Sequence, residues 1–118
     1  MKIYPSLISS PLLSLGKTII ELNELCDGYH IDIMDDHFVP NLTWGSDFCN
    51  SIKKITKLPL HLHLMVDDPC RWLDRLALTE GDTFIFHLES FSIEDRGQGV
   101  DEIIVRIREK KWRVGIAL

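Results

Sequence analysis

The sequence predicts an α/β fold built around a parallel sheet, and two observations support that prediction. Apolar runs of strand length alternate with longer segments of helical periodicity along the chain, which is the pattern of βαβ units. In three of those runs one face carries histidine, aspartate, methionine or glutamate, whereas covered parallel strands are usually apolar on both faces. We therefore expect one α/β domain over residues 1–118, with a sheet that has one apolar and one polar face.

The first two elements are a strand over residues 2–7 and the helix that follows it. Ser9 or Ser10 can cap this helix, and Pro11 suits its first turn. Apolar residues then recur at roughly helical spacing as far as Leu25.

The remaining elements continue the alternation of strands and helices. Asp68 and Pro69 mark one helix start, because aspartate caps helices and proline suits their first turn. The predicted order after the first helix is a strand over 29–34, a helix near 47–55, a strand over 58–66, a helix over 70–78, a strand over 83–89, a helix near 100–110 and a strand over 113–118.

Composition excludes several classes of partner. The formal net charge is −5, which argues against nucleic acid or an anionic membrane, since both favour a clustered basic face. No stretch approaches 18 apolar residues, and we identify no signal peptide. The three cysteines form no CxxC pair, so we expect a reducing, cytoplasmic location rather than a disulfide framework.

The polar strand faces suggest a site. Side chains on a strand alternate with period two. The residues that share the polar faces are His30, Asp32 and Met34, then His61, His63 and Met65, then Ile85, His87 and Glu89. A single histidine such as His61 or His87 is well explained as a core residue bonded to a neighbour. Two histidines and an aspartate from adjacent strands also make a plausible divalent-metal site, where the aspartate can act as a base.

Five motifs give the chain a resemblance to a known family. The motif "HIDIMDDHFVPNLTWG" closely resembles the second-strand motif of ribulose-phosphate 3-epimerases. Four shorter motifs are similar to the other strands of that family in order and spacing: "PSL" at 5–7, "HLMV" at 63–66, "FHLE" at 86–89 and "VGIAL" at 114–118. The resemblance covers essentially the whole chain.

This resemblance implies a fold, an activity and a cofactor. The family folds as a ribulose-phosphate-binding (β/α)8 TIM barrel. Its members are isomerases of the pentose phosphate pathway, and they interconvert D-ribulose 5-phosphate and D-xylulose 5-phosphate by inverting C3. One divalent metal ion, reported as zinc, iron(II), manganese or cobalt, holds the oxygens of the sugar phosphate. One aspartate removes the C3 proton, and a second aspartate from a late strand returns a proton on the opposite face.

The resemblance also implies roles for individual residues. His30, Asp32 and His63 correspond to metal ligands, and Asp32 also corresponds to the first catalytic acid/base. Four residues correspond to groups at the substrate: Ser6, His63, Met34 and Met65. The sulfur atoms of the methionines would give the substrate a dry, polarizable wall.

The chain departs from the family pattern in three residues and in length. Pro11 stands where the family has an acidic residue, which we interpret as a change at a helix start. Asp36 stands where the family has glycine, and aspartate tolerates a left-handed backbone better than most residues. His61 stands where the family has an aspartate, so the support of the metal ligands differs here. A barrel of this kind needs about 200 to 250 residues or more. We therefore expect residues 1–118 to form the N-terminal half: about four βα units and a fifth strand.

A half-barrel leaves alternatives for the function. The second acid/base and the phosphate-binding loops would lie outside these residues. The open sheet edge makes a homo-oligomer or a half-barrel partner plausible. One alternative is a hexulose-phosphate 3-epimerase, which shares the early-strand motifs. Another is a non-catalytic truncated remnant or a self-associating half-barrel.

Overall fold

The computed structural model describes residues 1–118 and contains one sheet of four parallel strands. The strands are β1 (Tyr29–Met34), β2 (Leu60–Met65), β3 (Thr83–His87) and β4 (Arg113–Ala117), arranged in chain order. The α-helices are α1 (Leu15–Leu22), α2 (Ser46–Ile55) and α3 (Arg96–Glu109). Parallel strands in chain order, with helical segments between them, form half of an α/β barrel, which confirms the predicted fold class. None of the helices is both long enough and apolar enough to cross a lipid bilayer.

The core lies between one face of the sheet and the helices. In β1 and β2 every second residue is fully buried, and the residues between them are only half-buried. The apolar face packs against helical residues such as Ile19, Cys49 and Ile103 in one continuous cluster. This is the two-faced pattern that the sequence predicts.

Strand register aligns the polar face across the sheet. Asp32 in β1 is the Cα partner of His63 in β2, and His30 is the partner of His61. His63 is in turn the partner of Ile85 in β3. Because partners in register point to the same side of a sheet, the polar residues of the three strands meet on one face.

The predicted first strand, residues 2–7, is wrong as a regular strand. The segment runs extended beside β1, but it forms only one bridge, between Ser6 and His30. His30 N–H donates to the Pro5 carbonyl at 2.9 Å. Pro5 itself has no N–H to offer the ladder. Ser6 then caps a 3-10 helix over Leu7–Ser9 by accepting from Ile8 N–H at 3.3 Å, which turns the chain away from the sheet.

Two predicted helices differ from the structure, the first in its start and the second in its type and length. The first α-helix begins at Leu15, since Pro11 opens a separate 3-10 helix over Leu12–Ser14. The predicted helix over 70–78 is only a 3-10 helix, Pro69–Trp72, followed by a turn. Its predicted cap is present, because the Asp68 carboxylate accepts from Cys70 N–H at 3.1 Å.

The predicted strand over 83–89 ends early. β3 stops at His87, and residues Leu88–Ser90 form a 3-10 helix. The Ser90 hydroxyl donates to the Val66 carbonyl at 2.7 Å, so this turn is held against the end of the neighbouring strand.

Candidate metal centre

Three side chains from β1 and β2 converge on the polar face. His30 Nε2 lies 3.1 Å from Asp32 Oδ1, and His63 Nδ1 lies 3.3 Å from the same oxygen. One ligand atom from each residue lies within 4.8 Å of the other two. The structure thus brings together the three residues that the sequence predicts as ligands, while their binding of a metal stays a prediction.

The chemistry of this group fits a divalent cation. Two imidazole nitrogens and one carboxylate oxygen are donors that zinc and other first-row divalent metals accept. The His30, Asp32 and His63 side chains are 27%, 14% and 22% exposed. They are therefore sheltered from bulk water but open enough to meet an ion or a small substrate.

The two oxygens of Asp32 have different surroundings. Oδ1 faces the two imidazoles, whereas Oδ2 accepts a 2.7 Å hydrogen bond from the Ser6 hydroxyl. Ser6 reaches this position because its backbone bridges to His30. The sequence predicts Ser6 as a substrate contact, and the structure places its hydroxyl on the predicted catalytic base.

Thr43 is a residue of the site that sequence reasoning missed. Its hydroxyl donates to the Asp32 carbonyl at 2.7 Å and accepts from Met34 N–H at 2.9 Å. It thereby takes the place of a neighbouring strand beside the end of β1. The only signal in the sequence was its position inside the longest motif, because periodicity says nothing about a loop side chain that pairs with a strand.

Met34 and Met65 lie side by side on the same face. They are Cα partners at the ends of β1 and β2, and both are half-buried. This places both predicted substrate contacts two residues along their strands from Asp32 and His63, on the same side of the sheet. Their contact with a substrate stays a prediction.

The environment of His63 favours a neutral ring. Partial burial lowers the pKa of His63, and the nearby His87 and His30 lower it further, against the opposing effect of Asp32. Burial also lowers the pKa of His61, whose ring stacks on Tyr4 with centroids 3.9 Å apart. Because a histidine binds a metal through a deprotonated nitrogen, the neutral ring of His63 suits a ligand.

His87 lies beside this group without belonging to it. Its Nε2 is 2.8 Å from Nε2 of His63, on the side of that ring that faces away from Asp32. His87 is not among the three residues whose ligand atoms converge.

The loop after β1 is closed at its base. Residue Asp35 pairs with Leu42 in an antiparallel bridge, and its carboxylate accepts from the N–H groups of His37, Phe38 and Asp67 at 2.9 to 3.0 Å. Burial acts to raise the pKa of Asp35, but these hydrogen bonds and the charge of His37 together bring the pKa below its usual value.

The residue after Asp35 has the backbone that the sequence predicts. Asp36 has a φ of 60°, which is the left-handed conformation expected at this position. Its N–H donates to the Asn41 carbonyl at 2.9 Å inside the loop.

Comparisons with known proteins agree with the geometry. The model of the family described as "Ribulose-phosphate 3 epimerase family" matches residues 2–118. The chain is 40% identical over 118 residues to a ribulose-phosphate 3-epimerase, cytoplasmic isoform, of Oryza sativa subsp. japonica, covering 99% of this chain and 50% of that protein. It is 36% identical over 91 residues to a ribulose-phosphate 3-epimerase of Bacillus subtilis (strain 168), covering 76% and 42%. It is 33% identical over 115 residues to one of Treponema pallidum (strain Nichols), covering 97% and 50%. The chain spans about half the length of the curated relatives it matches.

Proposed function

We propose a function on the premise that this chain belongs to the ribulose-phosphate 3-epimerase family. The proposed reaction is the interconversion of D-ribulose 5-phosphate and D-xylulose 5-phosphate, an isomerase activity, with Asp32 as one of the two acid/base groups. The observation that carries the proposal is the divided environment of the Asp32 carboxylate. Oδ1 faces two imidazoles and Oδ2 faces a hydroxyl, so one carboxylate can serve as both a ligand and a base.

We propose one divalent ion, zinc, iron(II), manganese or cobalt, as the cofactor. His30, Asp32 and His63 would hold it, because their donor atoms already lie within 4.8 Å of one another. When bound, such an ion supplies positive charge next to the substrate oxygens, where negative charge develops as the C3 proton is removed.

The residues of the chain perform the remaining work in this proposal. Asp32 accepts the C3 proton from one face of the sugar, and the Ser6 hydroxyl holds its carboxylate in a fixed direction. Met34 and Met65 lie on the same side of the sheet as Asp32, where their side chains would exclude water from the reacting carbon.

The opposite face of C3 needs a second acid/base. Glu89, in the 3-10 helix that follows β3, is an alternative carboxylate, but its side chain is 52% exposed and 3.7 Å from His87, outside the ligand group. We therefore propose that the second acid/base and the groups that bind the phosphate are supplied from outside these 118 residues.

A second candidate is a half-barrel whose function is association, and the sheet edge favours it. β4 pairs only with β3, and Ile116 and Leu118 near its end are 48% and 91% exposed. An unpaired strand edge with apolar side chains invites pairing with another chain. Size-exclusion chromatography with light scattering gives the oligomeric state, and an unfolding curve gives the cooperativity of the fold. A stable monomer that unfolds cooperatively would contradict this candidate.

The proposed chemistry is tested by exchange at C3. The metal-loaded chain is incubated with D-ribulose 5-phosphate in D2O, and deuterium at C3 is measured by NMR, alone and with the C-terminal half of a full-length relative added. Hexulose 6-phosphate in a parallel assay tests the hexulose-phosphate alternative. We expect exchange with the pentulose phosphate, and full epimerisation once the second half is supplied.

Substitution of Asp32 gives the decisive comparison. Asp32→Asn keeps the size of the side chain and removes the base, so exchange should fall to the background rate. Asp36→Asn is the matched control, because Asp36 is an exposed aspartate in the neighbouring turn. Near-normal exchange in Asp32→Asn would refute the role of Asp32.

We also propose a cytoplasmic location. All three cysteines are free in the structure, as expected in a reducing compartment, and the rice relative is named a cytoplasmic isoform. Imaging of a tagged chain in cells would test this.

A further inference from the structure

The two ring nitrogens of His63 face two different partners. Nδ1 lies 3.3 Å from Asp32 Oδ1, on the side of the proposed metal. Nε2 lies 2.8 Å from Nε2 of His87, on the opposite side. The shorter of the two contacts is thus made with a residue to which neither the motifs nor the proposed function assigns a role.

The positions of the protons follow from counting them. A contact of 2.8 Å between two ring nitrogens is a hydrogen bond only if one carries the proton and the other a lone pair. If Nδ1 of His63 is to bind a metal, it must be free of a proton. The single proton of a neutral His63 then sits on Nε2, and His87 Nε2 accepts it.

The surroundings of His87 favour the same assignment. A neutral His87 that accepts at Nε2 carries its own proton on Nδ1, and that nitrogen faces Glu89 Oε2 at 3.7 Å. This separation is too long for a direct hydrogen bond, so Glu89 acts through its negative charge. A negative charge near Nδ1 favours the proton at that nitrogen.

The ring of His87 is also held mechanically. Its side chain is only 15% exposed, and the Phe38 ring packs against it with centroids 5.1 Å apart. Phe38 is itself anchored, because its N–H donates to Asp35 at 2.9 Å. The acceptor at Nε2 therefore has a fixed position.

We propose that His87 is a positioning residue that fixes the tautomer and the ring orientation of His63, so that the Nδ1 lone pair of His63 points at the metal. This inference rests on the proposed metal site and adds a residue behind it. Metal-binding histidines generally donate their second ring N–H to an acceptor, and loss of that acceptor typically weakens metal binding by about 10- to 100-fold. Here the acceptor is a second imidazole instead of the usual carboxylate or carbonyl.

Metal affinity tests this role with two substitutions of His87. In His87→Leu the acceptor is lost, and we expect the Kd for zinc and for cobalt(II), measured by competition with a chromophoric chelator, to rise by about 10- to 100-fold. In His87→Gln the amide oxygen can replace Nε2 as acceptor, so most of the affinity should return. Glu89→Gln should raise the Kd less than His87→Leu does, since Glu89 faces His87 and does not contact His63 itself.

Two controls separate positioning from general damage. His37→Gln removes an exposed histidine outside the group of three, and it should leave the Kd unchanged. Circular dichroism and the thermal midpoint of every variant show whether the fold survives. A loss of affinity in His87→Leu that merely tracks loss of fold, with no rescue by His87→Gln, would overturn the inference.

Nuclear magnetic resonance of the zinc-loaded chain gives a second readout. We expect the His63 ring proton on Nε2 to be slow in exchange and to show nitrogen–nitrogen coupling across the hydrogen bond to His87. If the unaltered chain binds neither zinc nor cobalt(II), the metal site itself is refuted. If the chain binds metal, but His87→Leu binds it equally well and the His63 tautomer is unchanged, only the positioning role is overturned.

Discussion

The hydroxyl of Ser6 donates a 2.7 Å hydrogen bond to Oδ2 of Asp32, and this bond ties the segment before the sheet to the carboxylate proposed as the base. The two residues are 26 positions apart in the chain. Asp32 is thus oriented by a residue from an extended segment, whereas its strand neighbours contact only its other oxygen.

Removal of this hydroxyl should affect the site more than the fold. In Ser6→Ala we expect metal affinity to fall by about 10-fold, because Asp32 loses a partner that orients it. The free energy of unfolding should fall by about 1 kcal/mol, which is typical of one lost hydrogen bond. Ser9→Ala is the control, since Ser9 is an exposed serine of the adjacent 3-10 helix. Equal metal affinities in the two variants would show that Ser6 does not orient the carboxylate.

The largest loss of stability is expected at Asp82, a fully buried carboxylate near the starts of β2 and β3. It accepts from Leu60 N–H, Thr79 N–H and the Lys53 ammonium at 2.7 to 3.0 Å. Asp82→Asn should cost about 3 to 5 kcal/mol in a urea titration, because the substitution leaves a buried ammonium and backbone donors without their charged partner.

Asp74 provides the matched comparison for Asp82. It also pairs with two cations, Arg106 and Lys110, but its side chain is 73% exposed. Asp74→Asn should therefore cost less than about 1 kcal/mol, as exposed ion pairs do. Similar losses in the two variants would contradict the importance assigned to burial.

Gly28 is expected to tolerate no side chain. A Cβ at this position would meet the ring of Tyr4 and the carbonyl oxygen of Pro59. Gly28→Ala should destabilise the chain by about 1 to 3 kcal/mol through overpacking, measured by thermal unfolding. Gly97→Ala is the control, because its Cβ would meet nothing within 4 Å and alanine is the better helix former. A loss of stability in Gly97→Ala as large as that in Gly28→Ala would refute the steric explanation.

Asp35 should give the chain an acid-sensitive component of stability. The pKa of Asp35 is lower in the folded chain than in the unfolded chain, so between the two values the unfolded state binds more protons and stability rises with pH. The contribution is complete above the unfolded pKa, about 3.9, and is lost as pH falls through the folded pKa.

The pH dependence of unfolding measures this contribution. The useful range runs from about pH 5.5 to about pH 2, because it brackets the usual pKa of an aspartate. Over this range the free energy of unfolding of the unaltered chain should fall more than that of Asp35→Asn. Asp36→Asn, which changes an exposed aspartate in the same turn, is the control. Identical pH slopes for the unaltered chain and Asp35→Asn would remove Asp35 as the cause.

Sequence periodicity was sufficient for the two-faced sheet, whereas the choice of His30, Asp32 and His63 as proposed ligands came from the resemblance to the family. Alternation along β1 and β2 put His30, Asp32 and His63 on one face, and the parallel register then placed Asp32 beside His63. It could not show the contacts of Ser6 or Thr43 with Asp32, since both residues lie outside regular strands and periodicity carries no information about the path of an irregular segment.

Local chemistry explains the errors in the predicted elements. Residues 2–7 have the composition of a strand, yet Pro5 lacks a donor and Ser6 caps a turn, so the ladder stops after a single bridge. The cap at Asp68 was recognised correctly, but a good cap does not determine how far a helix continues. The hydrogen bond between His63 and His87 could not be predicted from the sequence either. The register pairs His63 with Ile85, so His87 is reached diagonally, two residues farther along β3.

The closed base of the loop after β1 separates the position of Asp32 from the composition of the loop above it. Asp35 and Leu42 pair across the loop, and Asp36 N–H donates to the Asn41 carbonyl. The Thr43 hydroxyl then donates to the Asp32 carbonyl near the end of β1. These contacts fix the two ends of the intervening segment, residues 37–40.

Exposed residues of this segment, such as His37 and Pro40, can change without displacing Asp32. Phe38 is different, because its ring packs against His87, which contacts His63. Substitutions at the exposed positions can therefore alter the contacts that the loop offers to a bound molecule, while the residues beneath keep their places.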